Sequence, residues 1–290
     1  MISEIKNPKV FVVVLAWNYY NHTKRCLESL RTVEYDNLNV LVVDNNSSDK
    51  TSENIKKDFP EFNILTLSKN LKFSGGNNEG VNHLNPEKDD FIIFLNNDTI
   101  VSKNFVKKLI NPLLEDKKAI ISTPKILYSS NINKIWYAGG VVNLWFGIIK
   151  HIGIRDFDGP KYSFKTKTDY ASGCCFCIKF DDFRKLYFDN DFSMYCEDVD
   201  LSLRARKMNR FILYVPDSVI LPSLRTIILS QSITLDSLCA NINVVRSFIN
   251  LFRASCMTDS FSASTADSAS SSTSIGEFLK TARAIATRCL

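Results

Sequence analysis

The sequence predicts an α/β protein: a mostly parallel sheet with helices on both faces. Short apolar runs rich in β-branched residues, the first being VFVVVLA at Val10–Ala16, have the length and composition of buried strands. Each run is followed by a segment whose apolar residues recur at helical spacing. Strands that alternate with helices in this way build parallel sheets.

Four strand and helix pairs follow in order along the first 118 residues. The predicted strands are Val10–Ala16, Asn39–Val43, Phe62–Leu67 and Phe91–Leu95. The predicted helices are Thr23–Leu30, one capped by Ser48 or Asp49, one from near Asn78, and Phe105–Leu114. The segment KNLKFSGGNNEG is predicted to be a glycine-rich loop that leads into the third helix.

The pattern loosens after residue 118. Strand-like pieces are predicted at Ile120–Ser122, Lys125–Tyr128 and Tyr137–Val142, and TDYASGCCFCIKF is a further strand. The small residues from Ala171 to Gly173 would let a ligand or another backbone approach closely. Four aromatic residues fall in this region and form either core or a sugar-stacking surface: Trp136, Tyr137, Trp145 and Phe146.

Composition places the chain among globular proteins. Its 290 residues are 45% hydrophobic and 23% charged, enough to bury a full core. The net charge of +5 is too small to indicate nucleic acid binding, and it permits weak attraction to anionic lipid or to a phosphorylated ligand. The eight cysteines show no paired zinc spacing and are expected to be reduced thiols. Because the start MISEIKNPKV lacks the apolar core of a signal peptide, a cytoplasmic location is expected.

Polar loops follow three of the predicted strands. These loops begin with Trp17 and Asn18, with Asp44 and its Asn-Asn-Ser tail, and with Asn96 to Asp98. Ligands of open α/β sheets bind beyond the carboxyl ends of the strands, so this edge suits a nucleotide, and Asp98 is the first candidate metal ligand. The alternative for Asp98 is a turn residue that caps the helix near Lys103. The glycines do not form GxGxxG, which argues against a dinucleotide-binding dehydrogenase.

A second candidate centre is the segment YCEDVDLSLRARK. Glu197, Asp198 and Asp200 open a predicted helix whose basic residues come later, an order that a well-capped helix alone would explain. Three carboxylates within four residues also repel one another, which raises at least one pKa and favours a nearby cation or proton. A general base is therefore predicted here.

Five motifs in order carry a resemblance to a known family. VVVLAWN, LVVDNNSSDKT, NLKFSGGNNEG, FLNNDT and YCEDVDLSLRARK resemble those of family 2 inverting glycosyltransferases, most closely the rhamnosyltransferase-like branch, over about residues 9–216. The resemblance implies a GT-A fold, with a Rossmann-like nucleotide-binding half at 1–118 and a mixed acceptor-binding and catalytic half at 119–220.

The resemblance also implies roles for individual residues. Asp198 would be the catalytic base, supported by Glu197, Asp200 and Arg204. Asp98 would hold Mg²⁺ or Mn²⁺ in a variant of the DxD motif, Asn96-Asn97-Asp98, in which only the last position is acidic. The residues expected to bind the nucleotide-sugar are Ala16, Asn18, Asp44, Asn46, Gly75, Gly76, Asn77, Asn97 and Gly173.

The implied activity is transfer of a sugar, with inversion, from a dTDP- or UDP-sugar to a glycan or lipid-linked glycan acceptor, in cell-surface polysaccharide assembly. Peripheral contact with the inner face of the membrane is expected as well. One departure is that a histidine expected after Tyr214–Pro216, a further metal ligand of the family, is missing. Beyond residue 220 the chain becomes serine-rich, and we predict that residues 221–290 are poorly ordered or not family sequence. A non-catalytic sugar-nucleotide-binding protein is the alternative function.

Overall fold

A computed structural model describes residues 7–144, 146, 148–192 and 196–223. The chain divides into two units, Met1–Gly140 with His151–Ile227, and Val141–Lys150 with Ile228–Leu290. Of the predicted serine-rich tail, only residues 221–223 are among the described residues. Trp145 also lies outside them.

The first four strands form a parallel sheet in the order β3-β2-β1-β4. They are β1 (Val10–Ala16), β2 (Leu38–Asp44), β3 (Asn63–Thr66) and β4 (Phe91–Asn96). Every residue from Val10 to Val14 is buried, so both faces of β1 are covered, which explains why this strand is apolar throughout. Because β2 and β4 lie on opposite sides of β1, the strand order reverses at β1, the position where such sheets bind ligands.

The later strands extend the same sheet beyond β4. They are β5 (Thr99–Val101), β6 (Ala119–Tyr128), β7 (Asn131–Tyr137), β10 (Thr166–Thr168), β11 (Cys175–Lys179) and β12 (Phe211–Pro222). β11 runs antiparallel between β4 and β6, and β12 runs parallel to β6. A separate two-stranded sheet pairs β8 (Gly140–Asn143) with β9 (Ile148–His151).

The helices follow the predicted order. They are α1 (Tyr20–Leu30), α2 (Thr51–Asp58), α3 (Lys72–Leu84), α4 (Phe105–Glu115), α5 (Phe180–Leu186) and α6 (Glu197–Lys207), with a short 3-10 helix at Pro160–Tyr162. Four phenylalanines join strand and helix in the core, since the Phe94 ring lies 4.9 to 5.1 Å from those of Phe176, Phe183 and Phe188.

Two predicted elements were wrong. The glycine-rich segment is helical from Lys72 rather than a loop that becomes a helix near Asn78. The predicted strand Tyr137–Val142 is interrupted, because Gly139 takes a φ of 101° between β7 and β8. The predicted pieces Ile120–Ser122 and Lys125–Tyr128 belong to one continuous strand, β6.

Candidate active site

Three of the predicted residues lie side by side at the carboxyl ends of β1, β2 and β4. The strand register pairs Ala16 with Asp44, and Leu15 with Asn96. Asp44 is almost fully buried, and its Oδ1 accepts a hydrogen bond from the Ser47 amide at 3.0 Å. Asp44 therefore closes the turn after β2 with one carboxylate oxygen.

The loops after β1 and β2 are hydrogen-bonded to each other. The Asn18 amide donates to Ser47 Oγ at 2.7 Å, and Asn18 Oδ1 accepts from the Ser48 amide at 2.8 Å. Asn18 and Asn46 both have left-handed backbones, with φ of 59° and 64°, a conformation that asparagine tolerates better than most residues. The asparagines in these loops hold the crevice in shape.

Glycines bring helix α3 close against this crevice. A Cβ atom on Gly76 would lie 2.5 Å from Leu15 Cδ1, and one on Gly80 would lie 2.7 Å from Val43 Cγ2. Real Cβ atoms do not approach other atoms so closely, so a larger residue at either position would require the contacting side chain or the helix itself to shift. Gly75 is as crowded, because its Cβ would lie 2.9 Å from Leu71 Cβ. The asparagine that follows, Asn77, is buried, and its Nδ2 donates to the Phe73 carbonyl at 3.0 Å.

Asp98 lies two residues beyond the end of β4. It is half-buried, and its Oδ2 accepts a hydrogen bond from Ser223 Oγ at 2.8 Å. The neighbouring Asn97 donates from Nδ2 to Thr23 Oγ1 at 2.8 Å, which ties the turn to α1. Asp98 is not a helix cap, since β5 follows it directly and α4 begins only at Phe105.

Asp198 lies in the first turn of α6. Its side chain is half-buried, and its oxygens accept hydrogen bonds from the Gly173 amide and the Val199 amide, both at 2.8 Å. A Cβ atom on Gly173 would lie 3.4 Å from Asp198 Oδ2, at van der Waals contact, so Gly173 packs directly beside the carboxylate.

The segments that carry Asp98 and Asp198 adjoin each other. The amide of Asn96, at the end of β4, donates to the Cys174 carbonyl at 3.0 Å, and the next residue back is Gly173, which binds Asp198. The end of β4 and the start of α6 are therefore linked through Cys174 and Gly173, by one backbone hydrogen bond and one hydrogen bond from a backbone amide to the Asp198 carboxylate.

A family model for glycosyl transferase family 2 matches residues 11–187, which is more than half of the chain. The chain belongs to glycosyl transferase family 2. The match spans the strand ends at Ala16, Asp44 and Asp98 and stops before the helix that carries Asp198.

Two of the relatives that this family 2 member resembles are rhamnosyltransferases, which supports the predicted resemblance to that branch. The Escherichia coli (strain K12) rhamnosyltransferase WbbL is 25% identical, with 71% of this chain and 80% of that protein covered. An N-acetylglucosaminyl-diphospho-decaprenol L-rhamnosyltransferase of Mycobacterium tuberculosis (strain CDC 1551 / Oshkosh) is 23% identical, with 72% of this chain and 74% of the relative covered.

The fold matches a solved glycosyltransferase. A crystal structure of GalNAc-T7 with UDP, GalNAc and Mn²⁺ superposes with a TM-score of 0.61 at 16% identity, covering 76% of this chain and 44% of that one. The predicted GT-A fold with its large, mostly parallel sheet is confirmed. None of the described helices of the family 2 chain is long and apolar enough to cross a membrane.

Glu197, at the start of α6, is a buried carboxyl with an oxygen unpaired among the described residues, which helix capping alone does not explain. Its side chain is buried, and no described residue donates a hydrogen bond to its Oε2. Burial, and then the charge of Asp198, raise the pKa of Glu197 to about 8, while burial also raises the pKa of Asp198. At neutral pH the pair is stable with one proton, which we assign to Glu197 because that carboxyl is the more deeply buried.

Asp200 and Arg204 fix the direction of α6. Arg204 Nε donates to Asp200 Oδ2 at 2.8 Å, and its other nitrogens donate to the carbonyls of Leu186 and Tyr187 at the end of α5. Since Asp200 is only 5% exposed, this ion pair is shielded from solvent and holds the helix that carries Asp198.

Two residues in the predicted loops at this edge were given no individual role by the sequence patterns. Asn45 is buried and makes three hydrogen bonds across to α3, to Asn70 Oδ1 and the Lys72 carbonyl at 3.0 Å and from the Leu71 amide at 2.8 Å. Trp17, directly after β1, is 54% exposed, unusual for so large an apolar side chain. The sequence feature that could have identified Trp17 is its position directly after a buried strand.

The donor set of this edge fits a weakly held hard cation. No group of three or more histidine, cysteine, aspartate or glutamate side chains able to hold a metal is found in the described part of the chain. Mg²⁺ keeps several waters and is often held by one or two carboxylates together with substrate phosphates, so the single carboxylate of Asp98 is compatible with it.

Proposed function

We propose that this family 2 glycosyltransferase moves a sugar from a nucleoside-diphosphate sugar to an acceptor hydroxyl with inversion. The observation that supports the proposal is a hydrogen-bonded connection: the Asn96 amide at the end of β4 binds the Cys174 carbonyl, and the neighbouring Gly173 amide binds Asp198. We propose that Asp98, just after β4, serves the donor and that Asp198 serves the acceptor of a single displacement.

Asp198 is proposed as the general base. The acceptor oxygen attacks the anomeric carbon while its proton passes to the Asp198 carboxylate, and the bond to the nucleoside diphosphate breaks on the opposite face. Two backbone amides orient the carboxylate, and a protonated Glu197 beside it adds no competing charge. Asp200 and Arg204 support the helix on which this geometry depends.

Asp98 is proposed to hold Mg²⁺ or Mn²⁺ with the donor diphosphate. When bound, such an ion neutralises the charge that develops on the leaving diphosphate. Ser223 Oγ, which already donates to Asp98 Oδ2, fixes the orientation of that carboxylate. Ser223 lies after Tyr214–Pro216, in the region where the expected histidine is missing.

The nucleotide is proposed to bind across the ends of β1 and β2. Asp44 would accept a hydrogen bond from the base, while the exposed Trp17 ring offers it a flat apolar face. The further contacts proposed for the nucleotide-sugar are Asn18, Asn46, the α3 residues Gly75 to Asn77, Ala16 and Asn97.

A lipid-linked glycan is the acceptor class we propose. The support is the name of the Mycobacterium tuberculosis relative, which describes transfer to an N-acetylglucosaminyl diphospho-lipid. We propose that the chain works in the cytoplasm at the membrane surface, and its positive net charge favours contact with anionic lipid.

The decisive experiment compares wild type with Asp198→Asn. A panel of dTDP- and UDP-sugars is offered with Mn²⁺ and a short-chain N-acetylglucosaminyl diphospho-lipid, and free nucleoside diphosphate is measured. Asp198→Asn is expected to lower kcat by about 10² to 10⁴, with donor binding nearly unchanged, because the amide keeps the shape and loses the basicity. Asp191→Asn, a change at an exposed aspartate, is the matched control.

Two outcomes would contradict the proposal. Equal turnover in Asp198→Asn and wild type would place the base elsewhere, with Glu197 and Asp200 the next candidates. Donor binding without turnover in the wild type itself would instead identify a non-catalytic sugar-nucleotide-binding protein.

A further inference from the structure

The His151 ring packs against three aromatic rings. Its ring centroid lies 4.6 Å from that of Trp136, 5.1 Å from that of Tyr137 and 6.0 Å from that of Tyr170. All three neighbours are buried, at 5% exposure or less, whereas His151 itself is only half-buried. The rings therefore fix the imidazole plane while part of it still reaches solvent.

One ring nitrogen of His151 is already used. Nδ1 lies 3.2 Å from the Trp136 carbonyl oxygen, and because a carbonyl only accepts hydrogen bonds, Nδ1 carries the proton. Burial lowers the pKa of His151 to about 4, so the ring is neutral and Nε2 keeps a lone pair. No described residue donates a hydrogen bond to Nε2.

The rings around His151 lie close enough to Asp198 to feel its charge. Tyr137 donates its hydroxyl proton to the Tyr170 carbonyl at 2.6 Å, and the charge of Asp198 contributes to raising the pKa of both tyrosines. Three residues after Tyr170, the Gly173 amide binds the Asp198 carboxylate at 2.8 Å. His151 is thus connected to the proposed base through its ring contact with Tyr170 and the short segment from Tyr170 to Gly173.

We propose that His151 is an acceptor-binding residue: its Nε2 accepts a hydrogen bond from a hydroxyl of the acceptor sugar other than the one that reacts. A hydrogen-bond-accepting nitrogen in a fixed position orients the sugar, because every sugar hydroxyl can donate a hydrogen bond to it. This orientation selects which hydroxyl meets Asp198. The inference rests on the proposed function and adds to it the group that would set acceptor regiochemistry.

The first test needs no turnover. The chain has only three histidines, so side-chain ¹⁵N NMR of the full protein is assigned by comparison with His151→Gln. The expected spectrum at pH 7 shows a neutral ring protonated on Nδ1, and adding the short-chain N-acetylglucosaminyl diphospho-lipid shifts the Nε2 resonance. A ring protonated on Nε2, or an Nε2 resonance unmoved at saturating acceptor, would overturn the proposal.

The second test separates acceptor from donor. His151→Phe keeps a ring and loses the lone pair, and it is expected to raise the acceptor KM by about 10-fold, the worth of one buried hydrogen bond, with the donor KM unchanged. His151→Gln, whose Oε1 can replace Nε2 as acceptor, should recover most of that loss, and the exposed His83→Gln is the control.

An unchanged acceptor KM in His151→Phe, or an equal rise in the donor KM, would contradict the role of His151. Absence of turnover from the wild type with every donor would count against the proposed function instead, and the NMR titration would still decide whether His151 contacts the acceptor.

Discussion

Glu197 provides a direct physical test of the active-site geometry. Its pKa is 4.5 in an unfolded chain and about 8 in the folded protein. Between those values the folded state binds one proton more than the unfolded state, so stability must fall as pH rises through this window. The slope for one proton is about 1.4 kcal/mol per pH unit, and the total loss is on the order of 4 kcal/mol by pH 8.

The substitution Glu197→Gln removes this loss while keeping the shape of the side chain. Urea unfolding, followed by circular dichroism from pH 4 to pH 9, should give nearly equal stability for mutant and wild type at pH 4. The mutant should gain steadily between pH 5 and pH 8, after which the difference levels off. Glu79→Gln, at an exposed position of α3, should follow the wild type throughout. Parallel curves for Glu197→Gln and wild type would refute the claim that this carboxyl is buried and protonated.

Three further predictions concern the metal, the nucleotide and the support of α6. Asp98→Ala should abolish the Mn²⁺-dependent tightening of nucleoside diphosphate binding in calorimetry while the fold survives; an unchanged titration would remove Asp98 as the ligand. Asp44→Ala should weaken nucleotide binding about 10-fold even in EDTA, since the partner proposed for Asp44 is the base and not the metal-bound phosphate, and equal affinity would contradict that role. Arg204→Ala leaves the buried Asp200 unpaired and should lower the free energy of unfolding, measured in urea, by about 3 to 5 kcal/mol. A loss under about 1 kcal/mol would mean that the ion pair contributes little to stability.

The sequence by itself predicted the four strands up to β4 and a candidate site at their carboxyl ends. Val10–Ala16 and Phe91–Leu95 are apolar throughout because both faces of these strands are buried, and that pattern is local. The abrupt change to Asn and Asp after β2 and β4 predicted a ligand-binding edge, because strand polarity fixes which end the loops occupy.

The glycine-rich segment shows where local patterns failed. Gly75, Gly76 and Gly80 have poor helix propensity, so a loop was predicted, yet they are part of α3, in which Gly76 packs closely against Leu15 and Gly80 against Val43. Close packing of α3 against the sheet outweighed the low helix propensity of glycine. This packing depends on Leu15 and Val43, which belong to strands far from α3 in the sequence.

Only the tertiary structure decided which polar residues act together. The hydrogen bond from Gly173 to Asp198 and the ring contacts of His151 join residues 14 to 25 positions apart, and burial then raises the pKa of Glu197 and lowers that of His151. The sequence lists these groups, but a pKa and a tautomer are properties of surroundings that form when the chain folds.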